Sequence, residues 1–344
     1  MRFRFKPNSE QRAGLRARLA RLQQPAVAME VLRSVLPTDF KPANVICTQE
    51  GIHKDRFVLQ AQVRSESGEE RAYALKAYSD DFGERVWEHA QALAESMSRN
   101  NGLCLPTTYL AHERLLILPW VHGLFLSEIV DGRKPELLRQ AARLAAGLHR
   151  LDLVPEELTT AQMLVDETRA WCDRLRIRWP EAALTVEPIM EAVQEALPCL
   201  EPVEPAPVHG DMAAGQFLWT GDRLVLLDLD MFGYTDPAYD AGHFLAQLER
   251  RCLVDPTVRE HAREWLAAFG EAYLAAMPHV SPRNVWFYRG LTLLRKCYTI
   301  CRREPVQWPR LVPQFAEHAR TALEYVVAPE LAHSKTLARE TEPA

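Results

Sequence analysis

The sequence predicts an α+β fold with a small strand-rich N-terminal lobe and a larger, mainly helical C-terminal lobe. Residues 57–63 and 71–78 alternate between apolar and polar side chains, as half-buried strands do, and a polar turn at 65–70 joins them. Residues 84–93 and 140–149 instead repeat their apolar side chains at helical spacing. Because the strands come first and most of the helices follow, the pattern favours segregated α+β layers.

The predicted hairpin places a lysine near the end of its second strand. Lys76 lies in the run Arg-Ala-Tyr-Ala-Leu-Lys-Ala-Tyr of residues 71–78. A lone lysine on a strand is usually a surface residue, so this position by itself predicts no function. Farther along, the apolar residues 115–118 end in the turn of Pro119 and Trp120, which is typical of a buried strand.

The most informative segment joins residues 209–217 to residues 226–230. Gln216 lies five positions after Asp211, which is the spacing between the catalytic carboxylate and a metal ligand in the catalytic loop of protein kinases. The Asp211 carboxylate can accept the proton of an attacking hydroxyl, while oxygens of Gln216 and Asp228 can hold Mg²⁺ against phosphates. Taken separately, His-Gly-Asp is a common turn and Leu-Leu-Asp-Leu-Asp an ordinary strand that ends in acids. Together they predict phosphoryl transfer.

The same region resembles the catalytic segment of the aminoglycoside phosphotransferase and choline kinase superfamily. The resemblance is densest over residues 207–245, which include the string Gly-Tyr-Thr-Asp-Pro-Ala-Tyr-Asp, and scattered motifs extend it over residues 45–250. It implies a protein-kinase-like bilobal fold, with Asp211 as the catalytic residue and with Gln216 and Asp228 as the metal ligands. The family usually has Asn where this chain has Gln216, which offers the same carboxamide oxygen on a side chain one methylene longer.

In this family a lysine holds the phosphates and a glutamate orients that lysine, and the resemblance assigns these roles to Lys76 and Glu88. Glu88 lies on the predicted helix 84–93, which is similar to the family's helix that presents the glutamate. Glu84 is the alternative. Either carboxylate can instead lie on a solvated helix face.

The resemblance assigns structural roles to three more polar residues. His209 and Asp240 would organise the catalytic loop rather than take part in the chemistry. His149, on the alanine-rich helix that follows the hinge, is expected to be structural as well. Asp230 lies two residues after Asp228, so a secondary metal-ligand role for Asp230 stays open.

The resemblance also implies that adenine binds to backbone groups of a hinge at residues 119–123. The Pro119 carbonyl would accept a hydrogen bond from the adenine amine, and the Val121 amide would donate one to the ring. A proline is tolerated at this position because only its carbonyl is needed. The other interpretation is a plain core strand followed by a Pro-Trp turn.

The loop over the phosphates is predicted at residues 49–55. It contains a single glycine, so it matches neither the Walker loop nor the three-glycine loop of protein kinases. The resembling family is often glycine-poor in this turn and meets the phosphates with one or two backbone amides and a polar side chain. Gly51 and His53 are therefore the candidates for phosphate contact.

These motifs divide the chain into five segments. They are an N-terminal helical extension at 1–40, a nucleotide-binding lobe at 41–118, the hinge at 119–123, a catalytic and acceptor-binding lobe at 124–330 and a flexible tail at 331–344. The prolines from Pro198 to Pro207 exclude a helix there, so this stretch is interpreted as the connection into the catalytic loop.

Composition is typical of a cytoplasmic globular enzyme. The 344 residues are 47% hydrophobic and 25% charged, and the formal net charge of −5 argues against a nucleic-acid partner. No apolar run is long enough to predict a signal peptide or a membrane span. Seven scattered cysteines without Cys-x-x-Cys spacing indicate free thiols in a reducing compartment. A monomer or a homodimer is expected.

The resemblance implies an ATP- or GTP-dependent phosphotransferase that uses Mg²⁺ and moves the γ-phosphate to a hydroxyl of a small molecule. A sugar, aminosugar or amino alcohol is the expected acceptor. Acidic residues between 152 and 173 would suit an amine-bearing acceptor, although they can equally be solvated helix faces. A nucleotide-binding pseudokinase module, marked by Gln216, is the alternative. A protein kinase is disfavoured because Asp228 leads almost directly into residues 233–237, which leaves no room for an activation loop.

Overall fold

The computed structural model describes residues 7–96, 102–153 and 157–328. The chain divides into two compact units, which we call the sheet unit and the helical unit. The sheet unit contains the described residues up to Gly123 together with Leu218–Asp230, and the helical unit contains Leu124–Phe217 and the described residues from Met231 onward. The predicted tail at 331–344 lies outside the described residues.

The sheet unit is built on a five-stranded antiparallel sheet in the order β1-β2-β3-β5-β4. Its elements are α1 (Ser9–Leu22), α2 (Pro25–Leu32), β1 (Pro42–Ile52), β2 (Arg56–Ser65), β3 (Glu70–Tyr78), α3 (Phe82–Ser96), β4 (Thr108–Leu110) and β5 (Leu115–Pro119). The turn between β2 and β3 occupies the polar residues 66–69, so the predicted hairpin is confirmed.

The N-terminal helices complete the core of the sheet unit. Alternate residues of β2, including Phe57, Leu59 and Val63, are buried, and they belong to one apolar cluster with Leu15 and Leu22 of α1. Asn8 begins α1 by accepting a hydrogen bond from the Gln11 amide, 2.8 Å away. The residues predicted as an extension are therefore, as far as they are described, an integral part of this unit.

The helical unit contains seven α-helices among the described residues. In chain order, the elements after β5 are β6 (Leu124–Phe125), α4 (Lys134–His149), α5 (Ala161–Arg178), α6 (Pro180–Ala196), β7 (Ala206–Val208), β8 (Phe217–Trp219), β9 (Leu224–Leu226), β10 (Gly233–Thr235), α7 (Ala238–Val254), α8 (Ala262–Ala276), α9 (Pro282–Arg303) and α10 (Trp308–Val327). None of the described helices is both long and apolar enough to cross a membrane. The predicted α+β class is confirmed.

Two short strands hold the predicted catalytic loop in the helical unit. β7 pairs antiparallel with β10, with Val208 opposite Gly233, so the loop that begins at His209 leaves the end of a fixed strand. Nearby, α7 and α9 pack at close range because Gly242 has no side chain. A Cβ atom at this position would lie 2.6 Å from the carbonyl oxygen of Val285.

The segment Leu218–Asp230 differs from its predicted place in the second lobe. The Leu226 amide donates to the Gly102 carbonyl at 2.7 Å, and the Cys104 amide donates to the Leu226 carbonyl at 2.9 Å. These hydrogen bonds return the segment to the sheet unit. The chain therefore brings Asp228 back to the unit that contains Lys76.

Candidate functional site

The predicted site residues are distributed over both units. The sheet unit contains Lys76, Glu88, Pro119, Val121, Gly51 and Asp228, and the helical unit contains Asp211 and Gln216. Each unit holds its own cluster of charged and polar groups.

Lys76 is the centre of the cluster in the sheet unit. It lies on β3 between β2 and β5 and is 8% exposed. Its ammonium group donates to Oδ1 of Asp228 at 2.6 Å and to Oδ1 of Asp230 at 2.7 Å. Burial opposes the charge, but the two carboxylates outweigh burial and raise the pKa of Lys76. The structure thus brings Lys76 and Asp228 together.

Asp230 is held by more groups than Lys76 alone. Oδ1 also accepts a hydrogen bond from the Tyr78 hydroxyl at 2.7 Å, and Nε of Arg56 lies 3.4 Å from Oδ2. Tyr78 follows Lys76 by two residues, so both side chains emerge on the same face of β3. Oδ1 of Asp230 therefore contacts both Lys76 and Tyr78, whereas Oδ2 lies near Arg56.

Asp228 has a strained backbone and a more accessible carboxylate. Its φ of 62° lies in the left-handed region, which non-glycine residues adopt rarely and at a cost of about 1–3 kcal/mol. Its side chain is 29% exposed, compared with 5% for Asp230. Strain of this kind persists where it places a functional group, and here it turns Asp228 toward Lys76.

The prediction that Glu88 orients Lys76 is wrong. Glu88 is exposed, and the carboxylates bound to Lys76 are Asp228 and Asp230. The reason lies in the periodicity of α3, which buries Val86, Ala90 and Leu93. A residue two positions after Val86 points to roughly the opposite side of the helix. The alternative, Glu84, is exposed as well.

The predicted hinge residues follow β5. Pro119 ends this strand opposite Tyr73, and its carbonyl lies 3.6 Å from the Cys104 thiol. Val121 is half-buried and comes two residues before Gly123. Glycine is required at 123 because a Cβ atom would lie 2.3 Å from the Trp219 carbonyl oxygen.

Gly51 lies on a strand rather than in a loop. β1 continues to Ile52 with an irregular register at Gln49 and Gly51, and the turn closes when the His53 amide donates to the Arg56 carbonyl at 2.8 Å. The prediction of a loop over residues 49–55 is therefore corrected to the short turn of residues 53–55. A β-bulge keeps an irregular stretch within the strand.

Asp240 fixes the predicted catalytic loop in the helical unit. It lies on α7, its side chain is fully buried, and it accepts hydrogen bonds from the amides of His209 at 2.6 Å and Gly210 at 2.9 Å. Nε2 of His149 lies 3.1 Å from the same carboxylate. Gly210 has a φ of 83°, which other residues rarely adopt. The backbone before Asp211 is thus tied down by a carboxylate, and His149 and Asp240 occupy the structural places predicted for them.

Asp211 is more accessible than Asp240, and its nearest polar partner is His243. The Asp211 side chain is 50% exposed, and its Oδ1 lies 3.3 Å from Nε2 of His243. Burial opposes ionisation of Asp211, but the hydrogen bond from His243 and the charge of Lys296 outweigh burial and lower the pKa of Asp211. Burial also lowers the pKa of His243, which is therefore neutral at pH 7 and can donate its Nε2 proton to Asp211.

Gln216 ends a short 3₁₀ turn, Ala214–Gln216, that follows the catalytic loop. Its amide donates to the Ala213 carbonyl at 2.9 Å, and its side chain is half-buried. Carboxamide and carboxylate oxygens are donors that Mg²⁺ accepts, so the residue types at 216 and 228 fit this ion. Within the described ranges no group of three or more His, Cys, Asp or Glu side chains could hold a metal ion. Mg²⁺ commonly needs only one or two carboxylates because substrate phosphates and water complete its shell.

Comparisons with known proteins identify the family and the fold of this chain. A family model described as the phosphotransferase enzyme family matches residues 89–283, which is more than half of the chain. A search of curated protein sequences found no match.

Several solved structures share the fold at low sequence identity. A choline/ethanolamine kinase family protein from Mesorhizobium loti is 16% identical, with a TM-score of 0.56 over 94% of this chain and 97% of that chain. The choline kinase of Cryptosporidium parvum is 10% identical, with a TM-score of 0.56 over 92% and 97%. A thermostable mutant of the aminoglycoside phosphotransferase APH(4)-Ia is 14% identical, with a TM-score of 0.58 over 88% and 99%.

These matches confirm the predicted protein-kinase-like fold. The family match confirms the predicted enzyme class, that of the small-molecule kinases. The chain belongs to the phosphotransferase enzyme family.

Proposed function

We propose that this protein transfers the γ-phosphoryl group of ATP or GTP to a hydroxyl group of a small molecule. The observation that carries the proposal is the buried Lys76, held by Asp228 at a strained turn, in a chain whose catalytic loop contains Asp211. A buried lysine with two carboxylates is ready to exchange one of them for phosphate oxygens. Gln216 and Asp228 would hold Mg²⁺, which when bound neutralises charge on the phosphates.

Asp211 is the residue that acts on the acceptor. The neutral His243 donates to one carboxylate oxygen, which leaves the other to accept the proton of the acceptor hydroxyl. Because the pKa of Asp211 is lowered, the carboxylate is ionised at neutral pH and can orient the hydroxyl for attack. Asp240 contributes indirectly, since it fixes the two amides just before Asp211.

Known structures of the same fold support a nucleotide and a small acceptor as substrates. The APH(4)-Ia structure is a ternary complex with AMP-PNP and hygromycin B. Other structures with this fold are named choline kinase or macrolide 2′-phosphotransferase. For this chain we propose Pro119 and Val121 as the adenine contacts and Gly51 as a phosphate contact.

Two measurements test the proposal. Mg-ATP or Mg-GTP should raise the melting temperature, because a ligand at about 100 times its Kd stabilises the folded state by about 2.7 kcal/mol. Omission of magnesium should reduce this shift. A panel of sugars, amino alcohols and hydroxy acids should contain at least one compound that triggers ADP or GDP release. If neither nucleotide shifts the melting temperature at millimolar concentration, the kinase proposal is wrong.

Gln216 favours one alternative, a nucleotide-binding module without transferase activity. Gln216→Ala should severely weaken magnesium-dependent turnover if Gln216 is a ligand, and Gln216→Asn should restore part of it. If the Gln216→Asn variant gains activity that the unmodified protein lacks with every acceptor, the module without activity becomes the better account.

A further inference from the structure

A cavity lies in the sheet unit between α1 and the turn that joins β1 to β2. Its volume is about 430 Å³, which is within the range of about 300–1,000 Å³ that is typical of small-molecule pockets. Its described lining comes from two short segments, residues 12–19 of α1 and residues 52–57. We call it the outer cavity. The proposed function makes no use of it.

The floor of the outer cavity is apolar. Leu15 and Phe57 are buried in the core cluster of the sheet unit, and Leu19 is partly buried against the same cluster. Leu15 and Leu19 are four residues apart, so they line the cavity from one face of α1. Ile52 ends β1 opposite Phe57 and is 53% exposed. A ligand that covered these side chains would gain stability in proportion to the apolar area that it removes from water.

The rim of the outer cavity is basic. Arg12 and Arg16 are exposed and four residues apart on α1, and Lys54 in the β1–β2 turn is exposed as well. Nε of Arg12 donates to the Asn8 carbonyl at 3.2 Å, which leaves its terminal nitrogens as further donors. Within the described residues, the side chains of Arg16 and Lys54 make no hydrogen bond or ion pair. The rim therefore offers three cations to a ligand.

None of the described residues that line the outer cavity is acidic. The acidic residues nearest to the lining in sequence are Glu10, Glu50 and Asp55. Asp55 lies 3.5 Å from Arg56, and in the described ranges Glu10 and Glu50 form no ion pair. The lining also includes His53, whose pKa is lowered by burial and by the charge of Arg56, so this histidine is neutral at pH 7. The charge carried by the lining is therefore positive.

The outer cavity and Lys76 lie on opposite faces of the sheet. Along β2, Phe57 belongs to the buried core face, whereas Val58 is paired directly with Lys76 of β3. Directly paired residues of an antiparallel sheet point to the same face, and successive residues of a strand point to opposite faces. A ligand on the floor of the outer cavity is therefore separated from the Lys76 cluster by the sheet itself.

We propose that the outer cavity binds an amphipathic anion of the fatty-acid type, a single molecule with an alkyl chain and a carboxylate head group. The alkyl chain lies on the floor formed by Leu15, Leu19 and Phe57, and the carboxylate binds at Arg16 and Lys54. An alkyl cation would bring its charge against the rim and be repelled, whereas a small anion would leave the floor in water. The inference goes beyond the proposed function and does not depend on it.

Calorimetric titration with three matched probes tests the proposal. Decanoate has both the chain and the head group, decyltrimethylammonium has the same chain with the opposite charge, and acetate has the head group without the chain. One decanoate should bind per chain, and each of the other probes should bind at least about tenfold more weakly. Absence of decanoate binding, or equal binding of decanoate and decyltrimethylammonium, overturns the inference. Binding to phosphatidylglycerol vesicles without binding of decanoate overturns it as well, because the basic rim would then be a membrane-contact surface.

Substitutions at exposed positions then locate the bound decanoate. Arg16→Gln combined with Lys54→Gln should weaken decanoate binding at least about tenfold, because charge-assisted hydrogen bonds are lost. Ile52→Ser, which removes part of the apolar wall, should weaken it as well. Arg33→Gln combined with Lys41→Gln is the matched control, since both are exposed cations of the sheet unit outside the lining. An unchanged melting temperature shows that each variant is folded. Undiminished decanoate binding by the first double variant, or equal weakening by the control, overturns the inference.

Discussion

Lys76 in the sheet unit and Lys296 in the helical unit are both buried from solvent to a large extent, yet their surroundings have opposite effects. Lys76 donates to two carboxylates, and its pKa is raised in spite of burial. For Lys296 only the nearby charge of Asp211 favours the charged form, and burial together with neighbouring arginines lowers the pKa of Lys296 to about 8. The difference shows that burial alone disfavours an ammonium group and that partners decide the outcome.

The comparison also indicates how the two units are prepared for substrates. In the sheet unit the lysine, the tyrosine and both carboxylates satisfy one another before any ligand binds. In the helical unit Asp211 is held by a neutral histidine, and Lys296 nearby makes no hydrogen bond or ion pair within the described part of the chain. We infer that a ligand at Lys76 has to replace existing contacts.

The largest expected effect is a difference in the free energy of unfolding between the variants in which one or the other lysine is replaced by methionine. Lys76→Met leaves two carboxylates without their ammonium partner and should lower the free energy of unfolding by about 3–5 kcal/mol, as for other broken buried pairs. Lys296→Met removes an unpartnered charge and should leave the free energy of unfolding unchanged or raise it at pH 7. Urea denaturation measures both. Equal destabilisation by the two changes would break the comparison.

The next largest loss of stability is expected at Asp240, because its charged carboxylate accepts hydrogen bonds from backbone amides. Asp240→Asn keeps one oxygen but loses the charge that accepts from His209 and Gly210, so a loss of about 2–3 kcal/mol in the free energy of unfolding is expected. Asp166→Asn, on an exposed helix face, is the control and should change it by less than about 0.5 kcal/mol. A loss in the control as large as that in Asp240→Asn would show that Asp240 does not stabilise the protein through its hydrogen bonds to the two amides.

The next prediction concerns His243, which is a neutral partner of the Asp211 carboxylate, whereas Lys76 is a charged partner of Asp228. His243→Gln weakens a hydrogen bond that lowers the pKa of Asp211, so this pKa should rise and the acidic limb of the kcat profile should move to higher pH. We expect kcat at neutral pH to fall about tenfold with little change in KM, because one hydrogen bond to a charged group is worth about 1.5–3 kcal/mol. An unchanged pH profile would show that His243 is only structural.

The smallest expected effect is a change in the stability of the protein with pH that is caused by the titration of Lys296. Its folded-state pKa of about 8 is below its ordinary value of 10.5, so between these values the unfolded chain binds more protons than the folded one. The destabilisation caused by Lys296 is therefore complete below pH 8 and is relieved as the pH rises toward 10.5. The stability advantage of Lys296→Met over the unmodified protein should shrink over this window. An advantage that grows above pH 8 would contradict the assignment.

Local sequence patterns predicted much of this fold and part of its site. The alternation around Lys76 predicted the β2–β3 hairpin because a strand with one buried face repeats every two residues. The helical spacing of residues 84–93 predicted α3, but it also contained the evidence against Glu88. Since Val86, Ala90 and Leu93 form the apolar stripe, Glu88 had to lie on another face.

The contacts that the sequence could not predict join distant residues. Asp230 meets Lys76 across 154 positions of the chain, and nothing local marks it as a partner of this lysine. The close approach of α7 and α9 at Gly242 is likewise indicated by no periodicity. Glu167, one of the acidic residues before the predicted catalytic loop, pairs with Arg295 of α9, a contact that the sequence did not indicate.

The central claim is that the two units divide the work, with Lys76 and Asp228 holding the nucleotide and Asp211 acting on the acceptor. The most direct test compares the Kd for Mg-ATP or Mg-GTP, whichever is the substrate, with kcat in the Asp211→Asn variant. We predict a Kd within about threefold of that of the unmodified protein and a kcat at least about a hundredfold lower, the scale of general acid–base catalysis. A kcat close to that of the unmodified protein, or a Kd weakened as much as kcat, would contradict this division.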